Sequence, residues 1–208
     1  MNSLREQWNA ANAVTTVRIA MVPFFAWALL VHGGDDTTWR WVAAAIFLLA
    51  AATDRLDGWL ARRSGIVTDL GKLLDPIADK LLVGTALVLL SVLGDLWWWV
   101  TLLILVRELG ITAMRFAVLR YAVMPASRGG KLKTVLQTAA ITLFLLPLAA
   151  LPTWITVLAW CAMGAALLVT LATGVEYAVQ GWRLSLRGRR AARRRAVGYP
   201  VPDDRTAH

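Results

Sequence analysis

The chain has 208 residues, 58% of them apolar, and a positive mean hydropathy; this composition excludes a disordered chain and marks an integral membrane protein. The formal net charge of +9 comes from 22 Lys and Arg against 13 Asp and Glu. Nucleic-acid binding is not the expected use of that charge, because the cations gather between apolar stretches and in one run, RGRRAARRR at 187–195, which suits anionic lipid or water.

In chain order, Leu4 and Trp8 share a helical face beside Arg5 and Glu6, which predicts a short interfacial helix within residues 1–11. Apolar stretches follow at 13–32, 39–61, 73–94, 97–119, 132–151 and 154–181, each long enough to span a bilayer as a helix. The expected architecture is therefore all-α, with six transmembrane helices in a single domain over 1–186 and a basic, disordered tail over 187–208. The first stretch lacks the short apolar core and small-residue cleavage site of a signal peptide. No internal repeat is present, so an inverted-repeat transporter gains no support.

Lys and Arg placement sets the orientation. With six spans, 21 of the 22 cations fall on the side shared by both termini, and only Arg40 falls on the other. Both termini are then cytoplasmic, in a multi-pass protein of the cytoplasmic membrane. Six of the eleven tryptophans, Trp39, Trp41, Trp97, Trp98, Trp99 and Trp154, stand at the outer helix ends, where an aromatic belt belongs. Cys161 lies within the sixth stretch and is expected to pack there. His32 and His208 have no neighbours that would make a metal or acid–base site.

The chemistry concentrates between Asp54 and Asp79, DRLDGWLARRSGIVTDLGKLLDPIAD. Asp54 and Asp57 are three apart and Asp75 and Asp79 four apart, so each pair projects from one side of its helix. Counting from Trp39 puts Asp54 and Asp57 roughly 22 and 27 Å into the membrane, and counting from Gly94 puts Asp79 and Asp75 about 22 and 28 Å in. An antiparallel hairpin of helices 2 and 3 thus brings four carboxylates to one depth, near the inner edge of a hydrocarbon core about 30 Å thick. Each would cost roughly 2.5–3.5 kcal/mol there without a partner. Two divalent cations would cancel the four charges; oxygen-only donors suit hard ions such as Mg²⁺ or Mn²⁺, and a pair of them suits displacement at phosphorus. The competing reading, a solvated charge belt with Arg55, Arg62, Lys72 and Lys80, leaves the common register and the glycines Gly58 and Gly71 unexplained.

Spelled with its spacing, the cluster is Asp54-x2-Asp57-Gly58-x2-Ala61-Arg62-x8-Gly71-x3-Asp75-x3-Asp79. This matches the signature of the CDP-alcohol phosphotransferases, and the chain resembles that family in length and helix number as well. The resemblance implies transfer of a phosphatidyl group from CDP-diacylglycerol to an alcohol, with CMP leaving, by direct in-line attack. It implies that Asp54, Asp57, Asp75 and Asp79 hold two divalent cations and that Asp79 takes the proton of the acceptor hydroxyl. It further implies that Asn12, Thr15, Gly58, Ala61, Arg62 and Gly71 line the CDP-lipid site, and that the protein is a homodimer. The residue types agree: Gly58 lets a nucleotide approach the backbone, Ala61 keeps that side open, and Arg62 offers a planar donor fork to phosphate. Asp75, just before Pro76, is expected as the N-cap or first-turn residue of helix 3.

Asn12-x2-Thr15-x2-Arg18, VRELGITAMR at 106–115 and Gly130-Lys131-x-Lys133-Thr134-x2-Gln137 are similar to the phosphatidylglycerophosphate synthase branch, although Ala11 stands where that branch often has Pro. Arg107 and Arg115 share a helical side, and Lys131 and Lys133 enter helix 5 from the same face. Together these four form an expected phosphate pocket, which the resemblance assigns to sn-glycerol 3-phosphate. Arg107 and Glu108, inside the helix, are expected to be paired and functional. Pro125, where the first glycine should be, excludes a nucleotide-binding P-loop at Gly130-Lys131. The alternatives are the same chemistry with an inositol phosphate or phosphatidylglycerol as acceptor, and a cation transporter that uses the carboxylates as an ion path.

Overall fold

The computed structural model describes the backbone of residues 10–64, 69–118 and 128–196, and side chains over 15–53, 77–114 and 132–179. Six α-helices account for nearly all of it: α1 (Ala10–Leu30), α2 (Thr37–Ser64), α3 (Asp69–Val92), α4 (Trp98–Val118), α5 (Arg128–Leu145) and α6 (Thr153–Ala196). No strand occurs among the described residues. The expected interfacial helix falls largely on residues 1–9, and His208 at the far end; both lie outside the described residues.

The connections α1–α2, α3–α4 and α5–α6 meet at one end of the bundle, and Arg40 ties them together. Its Nε donates to the Gly34 carbonyl at 2.5 Å, its Nη2 to Asp95 Oδ2 at 2.5 Å, and its Nη1 to the Phe144 carbonyl at 3.4 Å. Gly34 has a φ of +83°, and a Cβ there would stand 2.7 Å from the Leu93 side chain, so only glycine fits. Asp36 caps α2 by accepting from the Trp39 N–H at 2.9 Å. That bond holds its carboxyl below the usual range. With three connections gathered here, α2 runs away from this end and α3 returns to it, so Asp54, Asp57 and Asp75 belong to the opposite half. The eight tryptophans with described side chains are on the helix ends and connections near the tied end: Trp97 packs on Trp160 at 4.6 Å and Trp27 on Trp39 at 4.9 Å.

One apolar core runs through all six helices. Phe25 of α1 meets Phe47 of α2 at 5.8 Å. Leu87 and Leu90 of α3, Ile104 of α4, Ile141 of α5 and Met163 of α6 are all buried beside them. Ala43, Ala44 and Ala50 on α2 are buried too, small residues that let helices approach closely. The outward faces are equally apolar: Phe24, Leu49, Val106, Leu168 and Val175 are each more than 60% exposed, a surface that water would penalise. By length and composition, two helical stretches, Thr15–Gly34 and Thr153–Val179, could cross a bilayer.

Four expectations change. Helix α3 starts at Asp69 rather than near Asp75, so Asp75 is in the second turn, and Pro76, lying inside the helix, has no N–H to offer the Lys72 carbonyl. Helix α5 stops at Leu145 instead of 151, because Pro147 has no N–H and restricts the residue before it. Helix α6 continues through Ala196, so the start of the basic stretch expected to be disordered is helical, as its Arg and Ala content favours. Cys161 is exposed: the core side of α6 carries Ala159 and Met163, and residue 161 turns away from it.

Candidate active site

Helices α3, α4 and α5 enclose a cleft of about 480 Å³, counting the part open to its surroundings. Asp79, Lys80, Val83 and Gly84 line it from α3, Leu105, Glu108 and Leu109 from α4, and Lys133, Thr134, Gln137 and Thr138 from α5. Helical spacing explains the grouping, since Asp79 and Val83, Leu105 and Leu109, and Lys133 and Gln137 are each one turn apart. Toward the tryptophan-rich end the lining becomes uncharged, with Val83, Gly84, Leu105, Gln137 and Thr138; toward the other end it is charged.

Glu108 is the hub of that charged end. Its Oε1 accepts from Lys133 Nζ in a short contact and from Arg107 Nη1 at 2.7 Å. Its Oε2 accepts from Lys80 Nζ at 3.5 Å. The side chains of Arg107 and Lys133 are 10% exposed and that of Glu108 15%. Charges so placed must be mutually compensated, because an isolated one would cost several kcal/mol in a low-dielectric interior. One carboxylate shared among three cations leaves a surplus of positive charge, two of the cations, Lys80 and Lys133, lining the cleft beside Asp79, a fit for an anionic ligand.

Helix α6 holds this hub from behind. Arg107 Nη2 donates to Thr173 Oγ1 at 2.7 Å, and that hydroxyl donates to the Val169 carbonyl at 2.7 Å. Next to it, a Cβ on Gly174 would lie 3.1 Å from Arg107 Cγ and 3.3 Å from its Nε. The missing side chain leaves the channel in which Arg107 lies. Thr173 therefore orients Arg107, Arg107 orients Glu108, and Glu108 holds Lys133 and Lys80 at the cleft.

Of the residues predicted from sequence, Asp79 and Lys133 meet in the cleft. Arg107 stands behind it, joined to Glu108 and α6, and is not among the lining side chains. Thr15 is buried on α1, as is Arg18. Asp54, Asp57, Gly58, Ala61 and Arg62 are on the last turns of α2, Gly71 and Asp75 on the first turns of α3, Asn12 on α1, Arg115 on α4 and Lys131 on α5; their side chains lie outside the described residues. Among the described residues no group of three or more metal-ligating side chains occurs, and of the four aspartates only Asp79 belongs to that set. The donor chemistry of the four, oxygen only, fits a hard divalent cation. Thr173 and Gly174 were not singled out from sequence, although Thr170, Thr173, Gly174 and Tyr177 recur at the spacing of one helical face.

A family profile described as CDP-alcohol phosphatidyltransferase matches residues 8–174. The chain is 54% identical over 175 residues to a probable phosphatidylglycerophosphate synthase of Mycobacterium tuberculosis (strain H37Rv), covering 84% of this chain and 82% of that protein. It is 34% identical over 195 residues to a CDP-diacylglycerol–glycerol-3-phosphate 3-phosphatidyltransferase of Bacillus subtilis (strain 168), covering 84% and 96%. A protein of the same description from Escherichia coli (strain K12) is 39% identical over 142 residues, covering 65% and 75%.

Proposed function

Because the chain belongs to the CDP-alcohol phosphatidyltransferase family, we propose that it transfers the phosphatidyl group of CDP-diacylglycerol to sn-glycerol 3-phosphate, giving phosphatidylglycerophosphate and CMP. The observation that carries this reading is the cleft in which a carboxylate, Asp79, faces a cationic group built on Glu108. The relatives named for the same reaction agree with it.

The protein is an enzyme of the cytoplasmic membrane with six spanning helices, both termini and the active site being cytoplasmic. In support stand the apolar outward faces of the bundle, the tryptophans gathered at one end, and the Lys and Arg excess at the other. Asp54, Asp57, Asp75 and Asp79 would hold two divalent cations, Mg²⁺ or Mn²⁺, which when bound neutralise the diphosphate and make its β-phosphorus electrophilic.

The chain's own groups do the rest. Asn12, Thr15, Gly58, Ala61, Arg62 and Gly71 receive the CDP-lipid. Lys133, with Lys131 and Arg115, holds the phosphate of the acceptor, while Arg107, expected from sequence to join them, instead positions Glu108 from behind the cleft. Asp79 accepts the proton of the acceptor's primary hydroxyl as that oxygen bonds to the β-phosphorus, and the bond from that phosphorus to the bridging oxygen of CMP breaks. No covalent enzyme intermediate forms. An ion path through the protein is disfavoured: toward the tryptophan-rich end the interior is closed by Phe47, Leu87 and Leu90, and Arg40 and Asp95 are bound to each other.

The test is CMP release by purified protein in detergent with CDP-diacylglycerol and Mg²⁺, with and without sn-glycerol 3-phosphate. Release is expected only when metal and acceptor are both present and is expected to stop in excess EDTA. Release with a different alcohol alone would change the product, and metal flux into proteoliposomes without CMP release would replace the enzyme by a transporter.

A further inference from the structure

We infer that Gln137 is the specificity-determining residue for the acceptor, its carboxamide binding the hydroxyl of sn-glycerol 3-phosphate that does not react. The inference rests on the proposed function and adds to it a residue to which no role has been given above. Gln137 is 3% exposed, its Oε1 is buried without a hydrogen-bond partner, and its side chain lines the cleft that contains Asp79 and Lys133. A buried polar group left unpaired is costly, and native interiors rarely tolerate one without a ligand or water to complete it.

The surroundings say what kind of ligand group completes it. One turn along α5 toward the charged end, Lys133 is held by Glu108, and Asp79 faces the same space from α3. Those ionised groups suit the phosphate and the reacting hydroxyl. Gln137 stands instead among Val83, Gly84 and Leu105, where a Cβ on Gly84 would meet only Leu105 Cδ2 at 3.5 Å. A neutral carboxamide, both donor and acceptor, in a part of the cleft whose other polar groups are the uncharged Thr134 and Thr138 matches a neutral hydroxyl, itself both donor and acceptor. The acceptor has one such group besides the hydroxyl that reacts. A site built to pair with a hydroxyl discriminates against the analogue that lacks it, because its own polar group is then left unpaired.

The experiment compares sn-glycerol 3-phosphate with 3-hydroxypropyl phosphate, which keeps the phosphate and the reacting hydroxyl and lacks the second one. CMP release is measured in wild type, Gln137→Met and Gln137→Leu. Wild type is expected to prefer glycerol 3-phosphate by roughly tenfold or more in kcat/KM. Both variants are expected to lose about that factor on glycerol 3-phosphate while changing less than about threefold on the analogue. Equal losses on the two acceptors, or a wild type that does not discriminate between them, would overturn this inference and leave the proposed reaction intact. Wild type that releases no CMP with glycerol 3-phosphate would overturn the proposed acceptor, and the role of Gln137 with it.

Discussion

Asp79 and Gly174 do opposite things at the same site, one by what its side chain supplies and the other by having none. Asp79→Asn keeps size and hydrogen bonding but cannot take a proton at neutral pH; turnover is expected to fall about 10²–10⁴-fold while CDP-diacylglycerol binding persists. CMP release and equilibrium binding on the same preparation check this, and a wild-type rate would remove Asp79 as the base. Gly174→Ala gains helix propensity of about 0.8–1.0 kcal/mol but pushes a methyl against Arg107, whose guanidinium cannot swing aside while it holds Thr173 and Glu108. Overpacking of that kind costs roughly 1–3 kcal/mol, so the variant is expected to be less heat-stable and less active. Gly164 is the control: nothing lies within 4 Å of its would-be Cβ, and Gly164→Ala is expected to raise the midpoint of thermal unfolding. If both variants shift the same way, Gly174 is not a cradle for Arg107.

Between helices, what could be read in advance depended on how far apart in sequence the partners lie. Six helices and the pairing of the Glu108 region were legible, because apolar runs and a charged residue inside one of them are local signals. The contacts that bind α6 to Arg107, and the Arg40 tie between three connections, join residues 66 and 55 positions apart, and no local pattern encodes them. Helix ends were misjudged where hydropathy was used alone: α3 begins among polar residues at Asp69, and α6 continues into a polar, Arg-rich stretch, since backbone hydrogen bonding continues past the apolar run. The Arg40 tie yields a stability prediction separable from activity. Removing one partner of a buried ion pair costs roughly 3–5 kcal/mol; Asp95 is 27% exposed and can turn to water, so Arg40→Met is expected at or below the low end of that range. Its unfolding midpoint should drop while turnover at low temperature stays near wild type, because the cleft lies toward the opposite end. Arg40→Met with Asp95→Asn should recover part of the loss, and no recovery would deny the pair its role.

At the scale of the whole molecule, the distribution of charge makes a claim that neither the cleft nor the core makes: which end faces the cytoplasm. Three connections gather around Arg40 and Asp95, which neutralise each other, and the other Lys and Arg on the described helices lie at mid-depth or toward the opposite end. A membrane-spanning bundle with that asymmetry is expected to insert with its cationic half inside, the side on which the proposed reaction would exchange water-soluble glycerol phosphate and CMP. The single native cysteine makes the claim testable. Cys161 is exposed on α6, so Cys161→Ala gives a background without thiols. In that background Asp35→Cys puts a thiol at the exposed α1–α2 connection, and Ser64→Cys puts one at the far end of α2. A membrane-impermeant maleimide added to intact cells is expected to label the first and not the second, and permeabilised cells should label both. Labelling of Ser64→Cys alone in intact cells would invert the protein and put the acceptor cleft on the wrong side of the membrane for a cytoplasmic substrate.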